Sequence, residues 1–147
     1  MREQLNFYID GQWVAPAAQR TLDVINPATE DAMGRIAIGD AADVDRAAQA
    51  ARRAFASYSR TTVAERVALL EAIIAEYKRR HADLAAAISE EMGAPAVLSQ
   101  KAQAPIGIGH LQAALTVLRS YAFEELRGTT MLQKTPIGVC GLITPWN

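Results

Sequence analysis

By the spacing of its apolar residues, the chain has a front of short alternating runs, a long middle of helical periodicity, and an apolar tail. At the front, Phe7-Tyr8-Ile9 and Gln12-Trp13-Val14 flank Asp10-Gly11. Both of those residues tolerate the positive φ angles of a type I′ turn, so the segment predicts a hairpin. Leu22 to Ile25 and Gly34 to Ile38 form a second pair of runs, joined by the longer polar connection Asn26-Pro-Ala-Thr-Glu-Asp31.

Helical spacing follows. Asp40 is placed to cap a helix carrying Val44, Ala47, Ala48, Ala51 and Phe55. Thr62-Val-Ala-Glu65 reads as a capping box, and Val67, Leu70, Ile74 and Tyr77 continue one stripe behind it. A shorter helix bears Leu84, Ala87 and Ile88 and ends at Gly93, with Pro95 beyond. The region from Ala96 to Glu125 is helical but irregular. Pro105, Gly107 and Gly109 should kink or interrupt it, because proline removes a donor and glycine is entropically costly. From His110 onward Leu111, Leu115, Leu118 and Ala122 give a clean stripe.

Gly128 to Thr135 alternates weakly, as an exposed strand would. Val139 to Ile143 is nearly all apolar, the pattern of a strand buried on both faces. It runs into Thr144-Pro145-Trp146-Asn147, and in open parallel sheets ligands bind at that carboxyl end. One buried strand with no crossover helix and no parallel partner is not a finished sheet. The expectation is a sequence cut through a site, with the strand's neighbours in sequence not present.

Composition narrows the functional classes. The chain has 147 residues, half of them apolar, with 15 basic and 16 acidic side chains and a net charge of −1. Its basic clusters, Arg52-Arg53 and Lys78-Arg79-Arg80, are short and sit on helical patterns, which argues against a nucleic-acid partner. No run approaches the roughly 18 apolar residues needed to span a bilayer. The N-terminal residues lack the apolar core of a signal peptide, and one cysteine fits a reducing compartment, so a cytoplasmic location is expected.

Few residues carry chemistry. Cys140 has no charge nearby in sequence to lower its pKa and reads as a small buried core residue rather than a nucleophile. His81 and His110 lack ligand-spaced partners, and no metal site is expected from them. Glu90-Glu91 and Glu124-Glu125 point to different helix faces. Gly107-Ile-Gly109 begins like a dinucleotide fingerprint but lacks the third glycine and a preceding strand. Asn147 remains. Its carboxamide has two neutral N–H donors and no proton to lose, so it could serve a developing oxyanion. On its local sequence alone it reads better as a turn residue after a strand.

Five segments taken together resemble the aldehyde dehydrogenase superfamily: Phe7-Tyr-Ile-Asp-Gly-Gln-Trp13, Ile25-Asn-Pro-Ala-Thr29, Ala64-Glu-Arg66, Ser89-Glu-Glu-Met-Gly-Ala-Pro95 and Gly138-Val-Cys-Gly-Leu-Ile-Thr-Pro-Trp-Asn147. Their order and spacing match that family's N-terminal region over essentially the whole chain. The implied fold is α/β, an N-terminal fragment of an aldehyde-dehydrogenase-like fold: β-hairpins, a helical layer and one central strand of a Rossmann-like, incomplete sheet. On that map residues 1–126 belong to the cofactor-binding domain, 127–138 to the first strand of an oligomerisation segment, and 139–147 to the first central strand of the cofactor domain.

The resemblance implies oxidation of a small-molecule aldehyde to a carboxylic acid with NAD or NADP. A cysteine thiolate attacks the carbonyl, hydride leaves to the nicotinamide, and glutamate-activated water cleaves the thioester. Asn147 would be the oxyanion donor, and Ile143, Thr144, Pro145 and Trp146 would line the cofactor cleft. Ala113 would lie in the substrate tunnel wall, and Val24, Ile25 and Glu91 align approximately with a monovalent-cation site of some members. The family's nucleophile and base fall beyond Asn147, and Cys140 does not align with the nucleophile, so the chain alone is expected to be inactive. The parent is expected to be a homo-oligomer. The Pro105 region departs from a regular helix, which puts the tunnel wall and the substrate in doubt. Two other readings remain: a natural non-catalytic interaction module derived from that family and, less well supported, a generic nucleotide-binding domain.

Overall fold

The structure, a computed structural model, describes residues 2–144. Both hairpins form. β2 (Phe7–Ile9) pairs antiparallel with β3 (Gln12–Val14) across Asp10 and Gly11, whose φ angles of 54° and 75° are those the turn needs. β4 (Arg20–Ile25) pairs antiparallel with β5 (Ala32–Ile38), with a register shift between Val24 and Ile25. The loop between them is closed by Asn26, whose side chain accepts from the Ala28 N–H at 2.9 Å and whose carbonyl accepts from the Glu30 N–H. A further strand, β1 (Arg2–Gln4), adds parallel to β5. It carries Arg-Glu-Gln, a polar run with no strand pattern, and is held by backbone pairing rather than by apolar alternation.

Three helices follow: α1 (Ala41–Tyr58), α2 (Val63–Arg79) and α3 (His81–Met92). Their starts and stops follow sequence chemistry. Asp40 accepts from the N–H groups of Ala42 and Asp43, and Asp43 reciprocates on the Asp40 N–H, closing a capping box. Thr62 and Glu65 close another at α2, and the Thr62 N–H and hydroxyl hold the Glu65 carboxyl below its ordinary pKa. Thr62→Ala is expected to cost about 1 kcal/mol, read as an earlier midpoint in denaturant. α3 ends at Gly93, whose φ of 67° is left-handed. A Cβ at that position would stand 2.9 Å from the Pro27 ring, so the β4–β5 loop lies directly on the end of α3.

The irregular fourth region resolves into a short α4 (Ala96–Leu98), a π turn (Ser99–Gln103) and α5 (Ala104–Ser120). The break therefore lies upstream of Pro105, while Gly107 and Gly109 run inside a continuous α5. Pro105 sits in the first turn, where its missing N–H costs little. The widened turn before it is closed by the Ala104 N–H on the Ser99 carbonyl. Helix α5 stops at Ser120, and Tyr121 is already extended. β6 (Glu124–Arg127) and β7 (Thr130–Gln133) then form an antiparallel hairpin with Gly128 at φ 61°. The strand expected over 128–135 is present as β7, and its partner comes from residues the helical pattern had claimed.

One expected strand does not form. Val139 to Ile143 joins no ladder, and Leu142 and Ile143 are 88% and 99% exposed. A strand exists by pairing its backbone groups with a neighbour, and among the described residues no strand lies beside this one. Cys140, expected in a core, is exposed for the same reason. The helix α1 stripe is also corrected. Its buried positions are Asp43 and Ala50, and Val44 stands 67% exposed.

The buried apolar residues are few and mostly small: Ala50, Ile74, Ala85, Ala104 and Leu115. The chain exposes 10984 Å², against about 7,300 Å² for a compact monomer of this length. Its layers therefore leave large apolar faces without a cover in this chain.

Candidate functional site

The candidate residues are distributed over three places. Ile143 and Thr144 lie in the unpaired tail. Pro145, Trp146 and Asn147 lie outside the described residues. Upstream of them, Gly138, Val139 and Cys140 lie along α1 and form a shallow groove with Ala51, Ala54, Phe55 and Tyr58. The tail thus begins against α1, while Ala113 is on the outer side of α5.

Val24, Ile25 and Glu91 sit on two segments whose continuations meet, and no contact joins the three residues themselves. Val24 and Ile25 bracket the register shift at the end of β4, and Glu91 is in the last turn of α3. The loop after Ile25 meets Gly93, two residues past Glu91. Glu90, its neighbour, pairs with Arg2 at 3.1 Å, tying β1 to α3. No cluster of three or more His, Cys, Asp or Glu side chains is found among the described residues, and none of their helices is long and apolar enough to cross a membrane.

A dinucleotide needs a cradle, commonly a glycine-rich turn from a strand into a helix N-terminus. Among the described residues β5 leads into α1 through Gly39-Asp40, but that turn holds a single glycine and Asp40 itself takes the first free N–H groups of the helix, while Ile143 and Thr144 stand open to solvent. These residues do not by themselves make a cofactor pocket.

Two polar arrangements hold the elements on which the candidates sit. Asp43, 5% exposed, accepts from the Ala17 N–H at 2.9 Å and the Asp40 N–H at 3.1 Å, and pairs with Arg46. Burial pushes its carboxyl upward, but the two backbone donors and Arg46 outweigh that and leave its pKa below the ordinary value. On the other side of the layer, the Tyr77 hydroxyl donates to the Ala104 carbonyl at 2.9 Å, at the first residue of α5. Ser99, fully buried in the π turn, accepts from the Ser89 hydroxyl at 2.9 Å. Sequence reasoning treated Tyr77 as one member of an apolar stripe. The clue to its role was the glycine at 107, where an amphipathic helix has no local need of one.

Known proteins share this architecture. The sequence signature described as the aldehyde dehydrogenase family matches residues 13–147. A 3-succinoylsemialdehyde-pyridine dehydrogenase from Pseudomonas is 51% identical over the full chain, which spans 31% of that enzyme. Aldehyde dehydrogenase C from Pseudomonas syringae, solved with NAD+ and octanal, superposes with a TM-score of 0.94 at 44% identity. That match covers 96% of this chain and 29% of the other. An aldehyde dehydrogenase from Mycobacterium tuberculosis, solved with NAD+, superposes with a TM-score of 0.80 at 26% identity, over 86% of this chain and 26% of its own. This chain accordingly spans about a third of the length of such relatives, and it belongs to the aldehyde dehydrogenase family.

Proposed function

We propose that the chain is the N-terminal portion of an NAD(P)-dependent aldehyde dehydrogenase that oxidises an aldehyde to a carboxylic acid through a thioester. The observation that supports this best is the match over nearly its whole length to an enzyme solved with NAD+ and octanal. The large uncovered apolar area agrees with it, since those faces suit a longer chain packed over them. That relative and the pyridine-semialdehyde enzyme both point to aldehydes with an extended apolar or aromatic body.

In this reading Asn147 donates an N–H to the oxygen that becomes negative when the thiolate adds to the carbonyl. Ile143, Thr144, Pro145 and Trp146 supply one wall of the cofactor cleft, and Ala113 one wall of the substrate tunnel. The nucleophile and the base lie beyond Asn147. NAD or NADP, when bound, accepts the hydride. Residues 127–138, which carry β7, are the first strand of an oligomerisation segment, and the parent is a cytoplasmic homo-oligomer. The alternative of a free-standing interaction module is disfavoured, because such a module would bury its own apolar faces.

The purified 147-residue chain, mixed with octanal and NAD+, is expected to produce no NADH by fluorescence, whereas the full-length protein does. Turnover by the short chain would overturn the assignment of the nucleophile. Cys140→Ser in the full-length protein should leave kcat/KM within about twofold, because no His, Asp or Glu lies beside this thiol in sequence to serve as its base. Loss of activity in that variant, with retained fold, would reassign the nucleophile to Cys140.

A further inference from the structure

The contact between α2 and α5 is closer than side-chain packing alone would make it. A methyl group on Gly107 would overlap the Tyr77 hydroxyl oxygen and stand 2.7 Å from the ring carbon that bears it. The tyrosine ring therefore occupies the notch that only glycine leaves. Its hydroxyl reaches past that notch to the Ala104 carbonyl at 2.9 Å. Ala104 itself is fully buried, and it follows directly on the π turn. Toward the other end of α5, Arg119 pairs with Glu71 of the same helix α2. Between these two ties Ile74 and Leu115 are buried. Helix α5 is thus fixed to α2 in depth at Gly107, along its axis at Ala104, and at its far end by an ion pair.

At about 100° per residue, Ala104, Leu111 and Leu115 fall on one side of α5, and Ile106, Ala113 and Val117 on the opposite side. The second group is apolar and open, with Ile106 and Val117 56% and 57% exposed. Any change in how deeply α5 sits on α2 moves this stripe by the same amount. We propose that Tyr77 is a positioning residue for the substrate: by seating α5 in the Gly107 notch and on the Ala104 carbonyl, it sets where the Ile106–Ala113–Val117 stripe stands against the apolar body of the aldehyde. The inference rests on the reading of α5 as tunnel wall, and it adds a residue on a helix that touches no substrate.

The test uses the full-length enzyme with two aldehydes, octanal and propanal. Tyr77→Phe keeps the ring and loses only the bond to Ala104. It is expected to raise KM for octanal about three- to tenfold, with kcat, KM for NAD+ and KM for propanal within about twofold, since the short aldehyde does not reach the stripe. Gly107→Ala should shift the octanal KM further, and Tyr77→Ala added to it should recover part of the loss, because removing the ring vacates the space the methyl needs. Tyr77→Phe carries the test if Gly107→Ala does not fold. Equal changes for both aldehydes, or no change for either, would overturn the positioning role. A wild-type enzyme that oxidises neither aldehyde would instead overturn the proposed function, and this inference with it.

Discussion

Replacing Asn147 with alanine in the full-length enzyme is expected to lower kcat about 10²–10³-fold, the usual loss when one preorganised donor to an oxyanion is removed. KM for NAD+ should hold, because in the proposed role the carboxamide acts on charge that develops only as the thiolate adds. Asn147→Asp should do at least as badly. A carboxylate has no proton to offer at neutral pH, and its charge opposes the oxyanion. Pre-steady-state measurement separates this role from a structural one: the burst that accompanies hydride transfer should slow in the variant while cofactor binding stays unchanged. A variant within about threefold of wild type would return Asn147 to the plainer role of a turn residue after Thr144-Pro145-Trp146.

The second large effect is on stability and concerns Asp43. Its carboxylate takes the N–H groups of Ala17 and Asp40 and the charge of Arg46. Asp43→Ala leaves all three without this partner, removes one of the hydrogen bonds that tie the segment after β3 to α1, leaving that of Arg46 to the Ala15 carbonyl, and breaks one capping box. The Tm of the full-length protein at neutral pH should fall by several degrees. The sign of the pH dependence follows from the lowered pKa. The group's contribution is complete above the unfolded carboxylate value of about 3.9 and is lost as the pH falls through the lower folded value. Wild type should therefore lose stability over that acid window more steeply than Asp43→Asn, in which nothing titrates at this position. Parallel Tm-against-pH curves for the two proteins would rule the linkage out.

The parts of the fold that were legible in the sequence are those governed by short-range chemistry. Asp10-Gly11, Asp40, Thr62-Glu65 and Gly93 each act on backbone groups within a few residues, and each starts, ends or turns an element where expected. What failed depended on distant partners. Val139 to Ile143 has the composition of a central strand, but composition supplies no hydrogen-bond partner, and it stays unpaired here. Val44 is apolar at helical spacing and still exposed, because among the described residues no element covers that side of α1. β1 was invisible for the converse reason: its pairing with β5 is made by the backbone, which leaves no apolar signature. The site was legible only through motif order. The structure brings the tail to α1 and the loop after β4 to the end of α3, and it does not close a cleft around Ile143 and Thr144. The Tyr77–Gly107 notch could be suspected from a misplaced glycine but not located, since the matching ring lies 30 positions upstream.

The unpaired tail has a consequence during synthesis. Chains emerge at roughly 5–20 residues per second and domains close as their parts arrive. The hairpins and helices up to Ser120 draw their contacts from residues already made, so they can form while translation continues. Ile137, Leu142 and Ile143 cannot bury themselves that way, at 94%, 88% and 99% exposed. For as long as no strand comes to lie beside them, they present a short apolar stretch with free backbone donors and acceptors. That combination invites both holdase chaperones and the edges of neighbouring nascent chains. The segment that resembles one wall of the cofactor cleft is therefore also one through which this protein is open to misassembly at birth.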